Sequence, residues 1–406
     1  MTTDFHRGSL SLAARTNHLR ARRSHEHGRV TYVELFFDLV FVFAVTQLSH
    51  GLLDHLTPLG TAQTAVMMIA VWWAWIDTAW ITNWLDPERA AVRLMLFVLM
   101  LGGLVMAASI PKAFEDRALS FALAYVSMQI VRDGFMLWAL RQHDAVNYLN
   151  FVRIMLWHVV ILPLWIAGCL VESPARLGLW ALAVAIESAG PMAGFWIPKL
   201  GRSDTADWTV EGGHMAERAA LFVIIALGES VLVTGATFAG LTWTAEHIGA
   251  FLVAFAGSVA MWVVYFNIGA ERSSRMIASS SDPGRIARSG YTYLHILIIA
   301  GIIVAAVGDE LVLHHPGDPI DARTVFVLVA GPSFYLVGNA LFKRLSAPNL
   351  PLSHLGGLAL LTLLIPAAPW LTPLLLSSAT TLVLIVVATW EFISLRDSQD
   401  PHTPTV

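Results

Sequence analysis

Cysteine is almost absent. Cys169 is the single one in 406 residues. One thiol excludes an intrachain disulfide and a cysteine-built metal site, and it leaves the redox compartment unread. Charge is scarce as well. Asp, Glu, Lys and Arg make up 13% of the chain, against roughly 25% in soluble domains. No P-loop, dinucleotide fingerprint, zinc-protease helix or nucleophile elbow occurs, and no nucleophile–base set is visible. The chain is therefore not expected to be an enzyme, and no catalytic residue is assigned. His25 and His27, and the pair His314–His315, lack the spaced carboxylates or thiols of a metal centre, so neither a metal nor a cofactor is expected. Residues 1–30 have no apolar core, which argues against a cleavable signal peptide. Hydrophobic residues, by contrast, are in excess: they make up 56% of the chain, with 15 Trp and 20 Phe. That balance indicates an all-α, polytopic membrane protein.

Twelve apolar segments lie at 33–53, 61–82, 92–111, 118–140, 150–171, 175–197, 215–239, 246–268, 287–311, 323–342, 353–369 and 371–392. Each is near the roughly 20 residues that span about 30 Å of hydrocarbon. The last two are separated only by a Pro-rich run around Pro369 and Pro373, and a re-entrant pair is the alternative there. Lys and Arg stay on the cytoplasmic side of a membrane. With the Arg-rich tail inside, eighteen of the 25 basic residues fall in inside loops. Lys112, Arg117, Arg176 and Arg323 fall outside, and Arg132, Arg153 and Arg218 lie within segments. Both termini are thus expected in the cytoplasm, and the tail is expected to touch anionic lipid, not nucleic acid.

The two halves echo each other. Glu34 opens the first segment and Glu217 the seventh. Trp72 precedes Asp77 by five residues, as Trp262 precedes Asn267. Asp86-Pro87-Glu88-Arg89 follows the second segment, and Asp282-Pro283-Gly284-Arg285 follows the eighth. These matches predict two parallel six-helix repeats, 31–200 and 215–395. A cytoplasmic linker at 201–214 joins them, and tails at 1–30 and 396–406 flank them. Parallel repeats place a functional path at their interface.

Carboxylates inside the apolar segments are the candidate functional residues. A charged side chain at mid-bilayer costs about 2.5–3.5 kcal/mol on insertion scales. Glu34 and Asp38 are four apart and share one helix face, which continues through Phe41, Val45 and Ser49. Glu229 lies deepest in the seventh segment, and Arg132 and Arg153 are the natural counter-ions. Asp133, Glu187 and His295 also interrupt segments. Other readings stand beside these. Glu34 and Glu217 sit at helix starts, where a carboxylate simply complements the dipole. Glu187 has small neighbours suited to tight packing. Trp80 and Trp84 look like an interfacial belt, while Trp72, Trp73 and Trp75 are too deep for one and read as packed core or as a cavity lining.

The segment from Glu34 to His50, E-L-F-F-D-L-V-F-V-F-A-V-T-Q-L-S-H, resembles the opening signature of the bacterial low temperature requirement A family. The segment from Glu217 to Leu232, E-R-A-A-L-F-V-I-I-A-L-G-E-S-V-L, resembles its central signature. The resemblance covers nearly the whole chain. It implies a polytopic inner-membrane protein linked by name to growth in the cold, with Glu34, Asp38, Glu217, Arg218, Gly228 and Glu229 as signature positions. It supplies no reaction and no substrate. A shorter pattern, Phe36-x-Asp38-x-Val40-Phe41-x-x-Ala44-x-Thr46-x-Leu48, is similar to the first-helix motif of potassium channels built from two six-helix repeats. Here Phe37 replaces the motif serine, and Leu221 and Glu229 replace the second repeat's aspartate and threonine. The combined expectation is a channel or secondary transporter for cations or protons. Its path would run between the first and seventh helices, past Glu34, Asp38, Thr46, Glu217, Arg218 and Glu229, with Arg132, Arg153, Asp77 and Asn267 nearby. The alternative is a non-transporting accessory protein for lipid or cold-stress adaptation, its buried charges structural. Expected partners are the bilayer and a small ion or solute, with room for a homo-oligomer.

Overall fold

The structure is a computed structural model that describes residues 17–20, 30–208, 210–266, 282–345 and 349–397. The expected path residue Asn267, the loop arginines Arg272 and Arg275, and His25 and His27 lie outside them. Each of the twelve apolar segments folds as a helix. These are α1 Tyr32–Asp54, α2 Pro58–Trp84, α3 Ala90–Ser109, α4 Ala118–Leu140, α5 Ala145–Cys169 and α6 Ala175–Met192. The second half has α7 Gly212–Gly240, α8 Ala245–Phe266, α9 Pro283–His314, α10 Ala322–Arg344, α11 Leu352–Leu364 and α12 Pro373–Asp397. Among the described residues nine are long and apolar enough to cross a membrane. The other three are α4, which carries Arg132 and Asp133, α6, which carries Arg176 and Glu187, and α11, which has only 13 residues. The protein is thus an all-helical, multi-pass membrane protein.

Local chemistry sets where the helices begin. Thr31 and Glu34 form a capping box at α1: the Thr31 backbone N–H and hydroxyl both donate to Glu34 Oε2 at 2.8 Å. Thr57 caps α2, with Pro58 at the first helical position, where its missing N–H costs nothing. The side chains of Asp144, Glu211, Asp282 and Asp321 accept first-turn N–H groups of α5, α7, α9 and α10. The two D-P-x-R loops close alike, with Arg89 on Asp86 at 3.4 Å and Arg285 on Asp282 at 3.5 Å.

The helix neighbours also repeat. In the first half α1 packs on α2 and α3, α2 on α4 and α6, and α3–α4, α4–α5 and α5–α6 pack in sequence. Every one of these pairs recurs with six added to each helix number. The halves meet chiefly where α1 lies against α7 and α9. Inside the second half, α9 and α10 approach closely through glycine. A Cβ on Gly301 would lie 2.5 Å from the Tyr335 backbone nitrogen, and one on Gly331 would lie 2.7 Å from that of Ala305.

Burial separates helix faces as a bilayer requires. On α1, Phe37, Phe41, Val45 and Leu48 are buried, while Phe36, Leu39 and Phe43 face outward. Many other large apolar residues are outward-facing too, including Leu94, Leu101, Val160, Leu232, Leu252 and Leu382. A water-facing surface rarely tolerates so much exposed apolar area. Part of the N-terminal tail docks on the bundle. The Arg20 N–H donates to the Trp84 carbonyl, the Asp86 N–H donates to the His18 carbonyl, and the His18 ring stacks on Trp138. Burial, helped by Arg89 and His143, pushes the His18 imidazole below its ordinary pKa.

Candidate functional site

Two buried charge clusters stand out. The first joins α1 to α7. The face of α1 that carries Glu34 and Asp38 turns inward as its four-residue spacing dictates, and Arg218 of α7 meets it. Arg218 Nη2 donates to Asp38 Oδ1 at 2.8 Å, and Nη1 lies 3.7 Å from Glu34 Oε1. Trp75 Nε1 of α2 donates to the same Asp38 oxygen at 2.8 Å. The guanidinium also lies over the Trp75 and Phe37 rings, at 5.7 and 5.9 Å. Glu34 is held further by His214 Nε2 at 2.8 Å and Arg20 Nη2 at 3.1 Å. Glu34, Asp38 and Arg218 are all 0% exposed. Farther along the same seam Ser49 Oγ donates to Glu229 Oε1 at 3.1 Å, while Glu229 Oε2 has no partner. Phe41, Trp75 and Phe222 pack between these two levels.

The second cluster lies within the first half and lines a cleft. Asp77 of α2, Arg132 and Asp133 of α4, His158 of α5 and Glu187 of α6 meet there. Arg132 Nη2 donates to Asp77 Oδ2 at 2.9 Å, and Arg132 Nε lies 3.5 Å from Asp133 Oδ1. His158 Nδ1 bonds Asp133 Oδ2 at 2.5 Å. Its other nitrogen, Nε2, faces Glu187 Oε1 at 3.6 Å and Asp77 Oδ2 at 3.9 Å. The Tyr125 hydroxyl and Gln129 Nε2 donate to the two Glu187 oxygens. Trp73, Trp80, Trp84, Phe151 and Trp208 are among the cleft's walls. Ser203, Thr205 and Trp208 of the loop before α7 also line it, with Gly284 and Arg288 at the start of α9. Directly beyond Arg288, residues Arg288–Leu294 form a π-helical turn. Such turns recur at functional sites, and here Thr292 receives the Trp72 and Trp80 indole N–H groups.

Several expectations are altered by this geometry. The counter-ion of Asp38 is Arg218. Arg132 sits in the cleft instead, and Arg153 binds the Leu200 carbonyl and Asn150 Oδ1, pinning the turn after α6. Glu217 is exposed and accepts the Val30 N–H at 3.2 Å, unlike the buried Glu34 it was matched with. Thr46 donates to the Val42 carbonyl of its own helix and stands within reach of Glu229. Trp80 and Trp84 form no lipid-facing belt, because both pack against Trp208 on the cleft wall. Trp72 and Trp75 are packed core, and Trp73 reaches the cleft. Sequence reasoning overlooked His158 and His214. A histidine inside the apolar run of α5 was the available signal for the first, and none pointed to the partner of either.

The model of the bacterial low temperature requirement A protein family matches residues 29–389. An uncharacterized protein of Rhizobium meliloti (strain 1021) is 39% identical over 388 residues, which are 95% of this chain and 94% of that protein. No solved structure matches. The two segments that carry the resemblance, Glu34 to His50 and Glu217 to Leu232, lie on α1 and α7, where Glu34, Asp38 and Arg218 interlock. The chain therefore belongs to the bacterial low temperature requirement A family.

Proposed function

We propose that this protein carries cations or protons across the bacterial inner membrane, as a channel or secondary transporter. In this reading it has twelve spans in two parallel six-helix repeats, with both termini cytoplasmic. The recurrence of every first-half helix pairing in the second half supports the duplication. The Lys and Arg bias supports the orientation.

The observation that carries the reading is the cleft. Three carboxyl groups (Asp77, Asp133 and Glu187) line it, with the guanidinium groups of Arg132 and Arg288. Buried charges in membrane helices usually pair or line a wet path, and here carboxyl groups outnumber guanidinium groups. Ser203, Thr205 and Gly284 of its lining belong to the segments before α7 and at the start of α9, which the charge bias puts on the cytoplasmic side. A cation enters there. The route onward passes α2 to the α1–α7 seam, which the Asp38–Arg218 pair holds shut, and continues toward Glu229.

Purified protein in proteoliposomes tests this. Flux of protons, alkali cations or divalent cations is expected, and Asp77→Asn and Glu187→Gln should lower it at least tenfold. Absence of flux for all three classes refutes the reading. One observation favours a second reading. Glu34, Asp38 and Arg218 are fully enclosed and mutually paired, as in a non-transporting accessory protein for lipid or cold-stress adaptation. Absence of flux, together with loss of stability on breaking that seam, selects it.

A further inference from the structure

The charged base of the cleft has a specific geometry. One ligand atom each from Asp77, His158 and Glu187 can be chosen so that all lie within 4.8 Å of one another. The His158 Nε2 distances to Glu187 and Asp77 are 3.6 and 3.9 Å. Ligands about 2.0–2.2 Å from a zinc-class ion in tetrahedral array stand roughly 3.5 Å apart. The three side chains are therefore already spaced as a coordination shell, slightly expanded.

The histidine is oriented for this role. Its Nδ1 is tied to Asp133, which leaves Nε2 directed at the two carboxylates and, in the neutral ring, able to ligate a metal. This carboxylate–histidine arrangement is the usual outer support of a metal-ligating imidazole. Tyr125 and Gln129 fix the Glu187 carboxylate in the same way. Arg132 Nη1 and Gln129 Oε1 are buried without partners, so the polar frame is not closed on itself. Binding a metal requires His158 neutral and Asp77 and Glu187 ionised; three carboxylates would then face the Arg132 guanidinium and the two charges of the ion. Arg288, across the cleft, is bound to the Pro191 carbonyl.

The second half supplies an independent indication. There, too, a basic residue of the fourth helix, a histidine of the fifth and a glutamate of the sixth converge: Lys343, His354 and Glu391. The Lys343 ammonium donates to both Glu391 oxygens at 2.7 and 2.8 Å and to the Val264 carbonyl of α8 at 2.8 Å, and it lies 3.5 Å from His354 Nε2. A fixed cation thus occupies the space between histidine and glutamate in that half. In the first half the basic residue, Arg132, donates to Asp77 Oδ2 at 2.9 Å and lies 3.5 Å from Asp133, so Asp77 would ligate while keeping that bond, and α2 offers a carboxylate where α8 offers a backbone carbonyl.

We propose that Asp77, His158 and Glu187 form a binding site for one divalent transition-metal ion of the zinc, manganese and cobalt class, with Asp133 as the residue that positions His158. One nitrogen and two oxygen donors suit those ions, and they disfavour copper(I), which needs sulfur, and magnesium, which prefers oxygen and water. The assignment departs from the expectation of no metal drawn from sequence. It rests on the cleft being a cation site but not on transport.

The test is equilibrium dialysis of chelator-stripped, detergent-purified full-length protein against zinc, manganese(II) or cobalt(II) chloride, with elemental analysis of the retained metal. Cobalt(II) adds a visible absorption spectrum that reports imidazole and carboxylate ligation. One ion per chain is expected. His158→Gln and the pair Asp77→Asn with Glu187→Gln should abolish it. Asp133→Asn should weaken it about 10–100-fold, and Asp38→Asn should leave it unchanged. Size-exclusion profiles and helical circular dichroism verify that each variant is folded. No retained metal in the wild type, or retention undiminished in folded His158→Gln, overturns the proposal. Metal binding without flux leaves the site intact and refutes only the transport reading, and flux without metal binding does the reverse.

Discussion

Arg218→Met tests the energetics of the α1–α7 seam most directly. The wild-type guanidinium is 0% exposed, donates to Asp38 at 2.8 Å and lies 3.7 Å from Glu34. Two unit charges about 4 Å apart at an effective dielectric constant of about 20 attract by about 4 kcal/mol. That attraction roughly offsets the cost of taking both groups out of water, so the pair itself adds little net stability. Removing only the arginine is different. Asp38 keeps a single donor, the Trp75 indole, and its Oδ2 already has no partner. A buried carboxylate stripped of its counter-ion costs about 3–5 kcal/mol. Arg218→Met is therefore expected to destabilise by that amount. The double variant Asp38→Leu with Arg218→Met is expected to recover most of the loss, because a methionine and a leucine need no desolvation of charge. The assay is equilibrium unfolding in mixed micelles with rising dodecyl sulfate fraction, read by tryptophan fluorescence and helical circular dichroism. A loss below about 1 kcal/mol for Arg218→Met, or single-variant losses that simply add in the double variant, would show that the two groups are not energetically coupled.

Two further outcomes follow from the same contacts. Gly301→Ala should cost about 1–3 kcal/mol in that assay, because its methyl group meets the α10 backbone at Tyr335 and only a shift of the helix relieves it. Gly235→Ala, where nothing lies within 4 Å, is the control and should be neutral or slightly stabilising. For His18, docking favours the neutral ring, since its folded-state pKa is depressed by burial and by the neighbouring Arg89 and His143. The docked state then binds fewer protons, and its stability falls as pH drops through the ordinary histidine value near 6.5. Amide exchange at Arg20 and Asp86, whose N–H groups close the docking contacts, should speed up from pH 7.5 to 5.5 beyond the intrinsic rate change. His18→Gln should remove that excess, and pH-independent protection in the wild type would refute it.

The helices were legible because their cause is local. A span must satisfy every backbone group within itself and be long enough for the hydrocarbon. Twelve apolar runs therefore name twelve helices to within a few residues at most ends, and α11 is shorter than its run only because Ile365 and the Pro-rich turn after it end the helix early. The inward face of α1 was equally plain, since Glu34 and Asp38 at four-residue spacing must share a side. Partners were not legible in this way. Asp38 and Arg218 are 180 residues apart, and Asp77 and Glu187 lie on helices separated by three others. No periodicity along one helix states which other helix it faces.

The sequence by itself thus determined the membrane class, the helices and the inward-turned carboxylates. Packing of helices distant in the chain decided which charges meet. It closed the α1–α7 seam around Arg218 and left the open space on the far side of α2. There it brought His158 between Asp77 and Glu187. The reason is physical: burying a charge has a cost wherever it stands in the chain, but only the assembled bundle determines which opposite charge, donor or cation offsets that cost.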